Sequence, residues 1–247
     1  MSSVVITGAG QGLGRSFALA LGDAGWQIAV LDINEANATR VADEIVAAGG
    51  DAIGVAVDVA DEDSVAAAHA EVIDRYETVT GLVNNAALFS TLAMGRFDDI
   101  AVDLWDRVMR VNVTGSFLMC RSFAPDMRAA GYGKIVNISS ATAFAGRPGY
   151  LHYVTSKAAL IGMTRSLASE LGPDGIRVNA IAPGSTETEV ERATITPQDR
   201  ARMAQSTALR RVQVPDDLIG SVRYALSTDS DFVTGQTFVV DGGLIFH

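Results

Sequence analysis

Short apolar runs alternate along the chain with longer stretches in which apolar residues recur every three or four positions. The runs fall at 4–7, 27–31, 52–57, 81–83, 134–138, 177–181 and 237–240, and the periodic stretches at 13–24, 35–48, 61–76, 101–130, 150–172 and 215–227. Runs with so little polar alternation read as strands buried on both faces, and the periodic stretches as the helices that cover them. Repeated strand–helix alternation predicts the α/β class: a Rossmann-type, doubly wound parallel sheet of about seven strands, with helices on both faces. One domain is expected over residues 1–247. Gly49 and Gly50 close the second helix, Asp61 offers a cap to the third, and Pro173 and Gly175 punctuate the end of the 150–172 helix. The stretch near 184–212 breaks the pattern. It is polar, rich in Thr and Glu and longer than an ordinary connection, as substrate loops are.

Composition narrows the function classes. The 247 residues are 48% hydrophobic and 19% charged, which suits a compact enzyme and not a disordered chain. The net charge of −10, with Lys134 and Lys157 as the only lysines and no basic stripe, argues against nucleic acid as a partner. Cys120 is the sole cysteine and sits in the apolar run 117–120, so it reads as a buried thiol with no disulfide. Three scattered histidines make no metal-ligand pattern. No apolar run approaches the ~20 residues that span a bilayer. The strand beginning at Val4 leaves no room for a signal peptide, so a cytoplasmic location is expected, without membrane association.

The first strand runs into a glycine-rich turn and a helix start. Gly8, Gly12 and Gly14 have the spacing T-G-x-x-x-G-x-G, which lets backbone approach a pyrophosphate at a helix N-terminus. Asp32 ends the second strand, 18 residues beyond Gly14. A carboxylate there accepts hydrogen bonds from ribose hydroxyls and repels a 2′-phosphate; alternatively, it caps the following helix. Ile33, Asn34 and Gln11 supply no cation, and Arg15 stands one helical residue too late to be an obvious phosphate clamp. The expected cofactor is therefore NAD and not NADP.

Tyr153 and Lys157 lie four positions apart in a predicted helix, on one face. A free tyrosine has a pKa near 10, and a nearby ammonium favours tyrosinate; lowering the pKa by ~3 units corresponds to ~4 kcal/mol. The pair alone is weak evidence, since such spacing is common on surfaces.

Taken with Thr7-Gly8-Ala9-Gly10-Gln11-Gly12-Leu13-Gly14, Asn84-Asn85-Ala86-Ala87, Asn112, Ile138-Ser139-Ser140, Tyr153-Val154-Thr155-Ser156-Lys157, Asn179-Ala180-Ile181-Ala182-Pro183-Gly184 and Asp241-Gly242-Gly243, the chain resembles the short-chain dehydrogenase/reductase family over nearly its whole length. Within it, the likeness is to NAD-dependent secondary-alcohol dehydrogenases. The resemblance implies that Tyr153 is the general acid in reduction and the general base in oxidation. Lys157 would hold the nicotinamide ribose and depress the tyrosine pKa. Ser140 would bond the substrate oxygen, with Ser139 the adjacent candidate, and Asn112 would anchor a water linking the lysine to solvent. On the cofactor side it implies contacts from Gly8, Gln11, Gly12, Leu13, Gly14, Asp32 and Ile33, and from Asp58 and Val59 at the adenine. Asp58 has a second reading, as the cap of a turn. Asn84 and Ala86 would line the adenosine ribose, with Asn85 beside them. Pro183, Gly184, Thr186 and Thr188 would close over the cofactor, and Tyr153 and Lys157 would also touch it. Ala87 departs from the glycine usual in the family. The same likeness implies a homo-oligomer, commonly a tetramer, and relates the closing Phe246-His247 to the ends of some secondary-alcohol dehydrogenases.

For the substrate wall, the candidates are Ser140, Thr142, Phe144, Tyr150 and Tyr153, with Leu88, Phe89 and His152 nearby. Their apolar and aromatic character favours a medium-sized hydrophobic alcohol or ketone over a phosphorylated sugar. His152 points about 100° away from Tyr153 on a helix and is not expected to be catalytic. Three functions compete: a secondary-alcohol dehydrogenase using NAD, a 3-oxoacyl carrier-protein-type ketone reductase, and a non-catalytic NAD-binding scaffold.

Overall fold

A computed structural model describes residues 3–190 and 196–246. Seven strands form one all-parallel sheet: β1 (Ser3–Thr7), β2 (Gln27–Asp32), β3 (Asp51–Ala56), β4 (Gly81–Asn84), β5 (Gly133–Ile138), β6 (Ile176–Pro183) and β7 (Thr237–Val240). Their spatial order is β3-β2-β1-β4-β5-β6-β7. All seven expected runs are strands, and β6 runs two residues further, to Pro183, than the apolar pattern suggests. The order reverses direction between β1 and β4. Such a switch point opens a crevice beyond the carboxyl ends of the strands.

Alternate residues of each strand feed opposite faces, and both faces are covered. Val5, Ala29, Leu31, Leu82 and Ile135 pack against helices α3 (Glu62–Tyr76), α5 (Gly115–Ala130) and α7 (Leu151–Leu171), through Val72, Phe123, Met127 and Leu171. Val4, Ile6, Ile28, Val30 and Val136 pack against α1 (Gly12–Asp23), α2 (Glu35–Ala47) and α9 (Asp216–Leu226), through Phe17, Leu21, Val41, Ile45 and Val222. Two buried faces leave no position for polar alternation, which is why the strands read as apolar throughout.

The single helix expected over 101–130 is two helices. α4 (Val102–Met109) passes into a wider π-type turn at Arg110–Thr114 before α5 begins. Asn112, wholly buried in that turn, is its polar pin: Oδ1 accepts from the Leu88 amide at 2.7 Å, and Nδ2 donates to Ser156 Oγ at 3.0 Å. The expected loop near 184–212 also carries a helix, α8 (Pro197–Ser206), following α6 (Thr142–Ala145) and α7. Thr196 caps α8 reciprocally with Asp199, and Pro197 occupies its first turn. Of the terminal pair Phe246-His247, Phe246 is exposed, while His247 lies outside the described residues.

Candidate active site

A cleft of about 610 Å3 runs along the carboxyl edge of the sheet, from the end of β3 past β1 and β4 to α7 and α8. Its adenosine-side wall begins with the glycine turn. Gly8 and Gly12 both sit at φ +61°, a left-handed conformation that favours glycine. A side chain at Gly14 would come within 2.3 Å of the Gly8 carbonyl, and one at Gly8 within 2.8 Å of Ala86 Cα. Gly14 thus serves the turn from beneath, whereas Gly8, Gln11, Gly12 and Leu13 line the cleft.

The β4 end holds this turn in place. Thr7 Oγ1 accepts from the amides of Asn85 and Ala86, each at 3.0 Å, and Asn85 Nδ2 donates back to the carbonyls of Thr7 and Gly8. Asn85 and Ala86 both reach the cleft. Asn84 does not: its amide nitrogen donates to Asn137 Oδ1 at 2.9 Å and to Cys120 Sγ at 3.2 Å, inside the sheet. The expected ribose contact from its side chain is therefore corrected to an internal tie. Cys120 is buried as expected, and burial pushes its thiol up to about 12.

Asp32 is buried and lines the cleft. Oδ2 accepts from the Gly10 amide at 2.9 Å and Oδ1 from the Asn34 amide at 3.0 Å. The cap of α2 is Asn34, so the alternative reading of Asp32 as that cap is excluded. Ile33 is exposed beside it. Asp58 fits both of its readings: Oδ1 accepts from the Ala60 amide at 2.9 Å in a tight turn, and the residue, with Val59, borders the cleft.

At the opposite end, α7 presents Tyr153 and Lys157 on one face, 8% and 2% exposed. Lys157 Nζ donates to the Ile138 carbonyl at 2.7 Å and lies 5.8 Å from the Tyr153 ring centre. Burial pushes the amine down to about 8. Ser139 also borders the cleft, but its Oγ donates to the Lys157 carbonyl at 2.7 Å, which commits its proton to tying the end of β5 to α7. Ser140 Oγ accepts from the amide and hydroxyl of Thr142, at 3.2 and 2.9 Å. With its lone pairs engaged, the Ser140 hydroxyl is set to donate its own proton.

Asn112 does not line the cleft. It reaches α7 through Ser156, whose hydroxyl donates to the Tyr153 carbonyl at 2.7 Å. Phe89 stacks on Tyr153 with ring centres 4.3 Å apart. Tyr150 is buried beside Phe89, their ring centres 5.9 Å apart, and of the expected wall Thr142 lines the cleft whereas Tyr150 and Phe144 do not. His152 is buried, with Nδ1 accepting from the Tyr153 amide. A residue absent from the expectations is Arg147. It lines the substrate end with its guanidinium 4.7 Å above the Tyr150 ring, and, after the Thr196 hydrogen bonds, its charge helps hold the Asp199 carboxyl of α8 below the usual carboxylate range. A cation in a chain of net charge −10, set just before the tyrosine motif, was the available signal.

Pro183, Gly184, Thr186 and Thr188 all border the cleft. Thr186 bridges to Gln213, its hydroxyl 3.0 Å from Gln213 Oε1. Glu189, next to Thr188, accepts from the Gly12 amide at 2.9 Å. A carboxylate at the first amide of α1 is direct evidence that this helix start takes anions. The glycine turn, Asp32 and this loop therefore fit a dinucleotide. No group of three or more metal-ligating side chains occurs among the described residues, and no described helix is long and apolar enough to cross a membrane.

This architecture places the chain among Rossmann-type proteins that take nucleotides at a switch point, and comparison with known proteins narrows the class. A family model described as enoyl-(acyl carrier protein) reductase matches residues 8–245. A probable galactose dehydrogenase of Rhizobium meliloti is 36% identical over 243 residues, 98% of this chain and 94% of that protein. Two solved structures are closely similar. A 3-oxoacyl-[acyl-carrier protein] reductase of Brucella melitensis with bound NAD has a TM-score of 0.91 and 36% identity, covering 100% of this chain and 92% of that one. A gluconate 5-dehydrogenase of Burkholderia cenocepacia, in complex with NADP and tartrate, has a TM-score of 0.93 and 35% identity, covering 98% and 94%. The chain belongs to the short-chain dehydrogenase/reductase family, whose members are oxidoreductases that bind a nicotinamide cofactor.

Proposed function

We propose that the protein interconverts a small secondary alcohol and its ketone with NAD, using Tyr153 as the proton-transferring group. The observation that carries the cofactor half is Asp32. Its carboxylate is fixed by the Gly10 and Asn34 amides at the adenosine end, where it favours ribose hydroxyls and repels a 2′-phosphate. When bound, the dinucleotide supplies the hydride acceptor or donor.

The chain's own residues supply position and the proton. Ser140 donates to the substrate oxygen and stabilises its charge as it develops. Tyr153 gives that oxygen a proton in reduction and takes one in oxidation. Lys157, held against the Ile138 carbonyl, brings a positive charge that favours tyrosinate. Asn112 acts on the lysine's helix through Ser156. Phe89, stacked on Tyr153, limits the ring's motion and dries one side of the reacting oxygen.

Arg147 favours a second reading: a ketone reductase whose substrate has an anionic or strongly polar tail, the class to which an oxoacyl thioester belongs. The similar proteins are named for a sugar, a sugar acid and an oxoacyl group. One assay separates the readings: the protein is mixed with NAD or NADP and a panel of secondary alcohols, cyclic diols and hydroxyacyl thioesters, and reduced-nicotinamide absorbance is followed. Secondary alcohols with NAD should turn over fastest. Faster turnover with NADP would overturn the Asp32 argument, and a strong preference for hydroxyacyl thioesters would establish the second reading instead.

A further inference from the structure

Two arginines, one from each of the first two helices, converge on a single carboxylate beside the adenosine end. Glu44 Oε2 accepts from Arg15 Nη2 on α1, and Oε1 accepts from Arg40 Nη1 one turn earlier on α2, each at 2.5 Å. Arg40 is engaged a second time: Nη2 donates to the Gly10 carbonyl at 2.8 Å. The Gly10 amide in turn donates to Asp32 Oδ2 at 2.9 Å. One residue's backbone therefore separates the Arg40 guanidinium from the carboxylate at the adenosine end. Asn37, three residues before Arg40, closes the same corner, since a side chain on Gly10 would come within 2.7 Å of its Cβ.

These three side chains belong neither to the core nor to the reaction, and each remains between 31% and 48% exposed. Guanidinium is the side-chain group best matched to a phosphate, because its planar fork can donate two parallel hydrogen bonds. Here Arg40 reaches the glycine turn at the edge of the nucleotide site and Arg15 shares its carboxylate, so both charges are already engaged. Burial pushes the Glu44 carboxyl up, but the hydrogen bonds and charges of Arg15 and Arg40 outweigh it and hold it below the usual carboxylate range.

We infer that Glu44 is a second determinant of cofactor choice: by clamping Arg15 and Arg40 it keeps closed, together with Asp32, a latent site for the 2′-phosphate of NADP. The inference rests on the NAD reading of Asp32. In the intact chain two carboxylates offset two arginines, so an incoming phosphate monoester meets no uncommitted cation. Removing Asp32 alone lifts a repulsion but leaves both arginines clamped. Removing Glu44 alone releases the arginines while Asp32 still repels the phosphate. Only removal of both leaves Arg40, already at the Gly10 carbonyl, uncommitted beside the 2′ position, so the two substitutions should act more than additively.

Calorimetric titration of the whole protein tests this without turnover, with adenosine 5′-monophosphate and adenosine 2′,5′-bisphosphate as probes. The parent should prefer the monophosphate by about tenfold. Asp32→Ser should bring the two probes to about parity, and Glu44→Gln should shift the ratio by less than about twofold, so that simple multiplication would give at most about a 20-fold shift. The double variant should prefer the bisphosphate by about tenfold, and adding Arg40→Met should erase that gain. Circular dichroism checks the fold, and Glu44→Ala serves the same comparison if glutamine disturbs α2. A double variant that merely multiplies the single effects, or that is indifferent to Arg40→Met, overturns the inference alone. A parent that already prefers the bisphosphate overturns the NAD reading and the inference together.

Discussion

The adenosine end of the cleft and its catalytic end are built in opposite ways. The first is a backbone construction: Gly8, Gly12 and Gly14 fold a turn so tight that a single methyl at Gly14 meets the Gly8 carbonyl, and Thr7 and Asn85 staple it to β4. The second is a side-chain construction, in which Ser140 from the β5 end is held by Thr142, and on α7 Lys157 is held by the Ile138 carbonyl and Tyr153 by the stacked Phe89 ring. Fold and cofactor binding are coupled at the first end. At the second, chemistry is separable from the fold, and even opposed to it, because a buried amine costs stability.

Lys157→Met sharpens this contrast most. Turnover should fall by at least about 100-fold, as when an acid–base partner is lost. The folded amine has a pKa near 8, below its ordinary value of 10.5. Between those values the unfolded chain binds more protons than the folded one, so stability attributable to Lys157 rises with pH across that window and is lost as pH falls toward 8. The buried ammonium then costs on the order of 3 kcal/mol at neutral pH. The Cys120 thiol, raised to about 12, works the other way above its unfolded pKa, so the test is the difference between variant and parent. In urea titrations of the cofactor-free protein, Lys157→Met should lack the rise and be at least as stable as the parent at pH 7. A variant that is less stable and equally pH-dependent would break the comparison.

Gly14→Ala should do the reverse, destabilising the fold by about 2–3 kcal/mol and weakening dinucleotide binding by about tenfold or more. Unchanged stability by urea denaturation would show that the turn has room to adjust. The smallest effect concerns Glu189, which shares the Gly12 amide with any incoming anion. Glu189→Ala should tighten dinucleotide binding by about two- to fivefold in a fluorescence titration. Weaker binding would mean that the carboxylate supports the site instead of competing for it.

The same contrast explains what the sequence disclosed. Strands buried on both faces leave an unbroken apolar record, and a turn that admits only glycine leaves an unambiguous one, so the strands of the parallel sheet and the nucleotide end were readable. Tyr153 and Lys157 were readable because helical spacing puts them on one face and the surrounding family motifs single that pair out. Side-chain direction at strand ends was not: Asn84 and Asn85 are neighbours, yet one turns into the sheet toward Asn137 and the other toward the glycine turn. The π-type turn was hidden because Asn112 forms it with Leu88 and Ser156, which lie far away in the chain. The clamp on Arg15 and Arg40 depends likewise on how α1 packs beside α2. By contrast, α8 had a local signal in Thr196, Pro197 and Asp199, masked by the polar composition around it.

The most direct test of the account is Tyr153→Phe, followed by single-turnover hydride transfer alongside calorimetric dinucleotide binding. The phenol oxygen is the group assigned to move the proton, and the Phe89 stacking should survive its removal. Hydride transfer should fall by about 1,000-fold or more while the dinucleotide dissociation constant stays within about threefold. A variant that keeps more than about a tenth of the parent rate would take Tyr153 out of the reaction, since an acid–base group ordinarily accounts for far more.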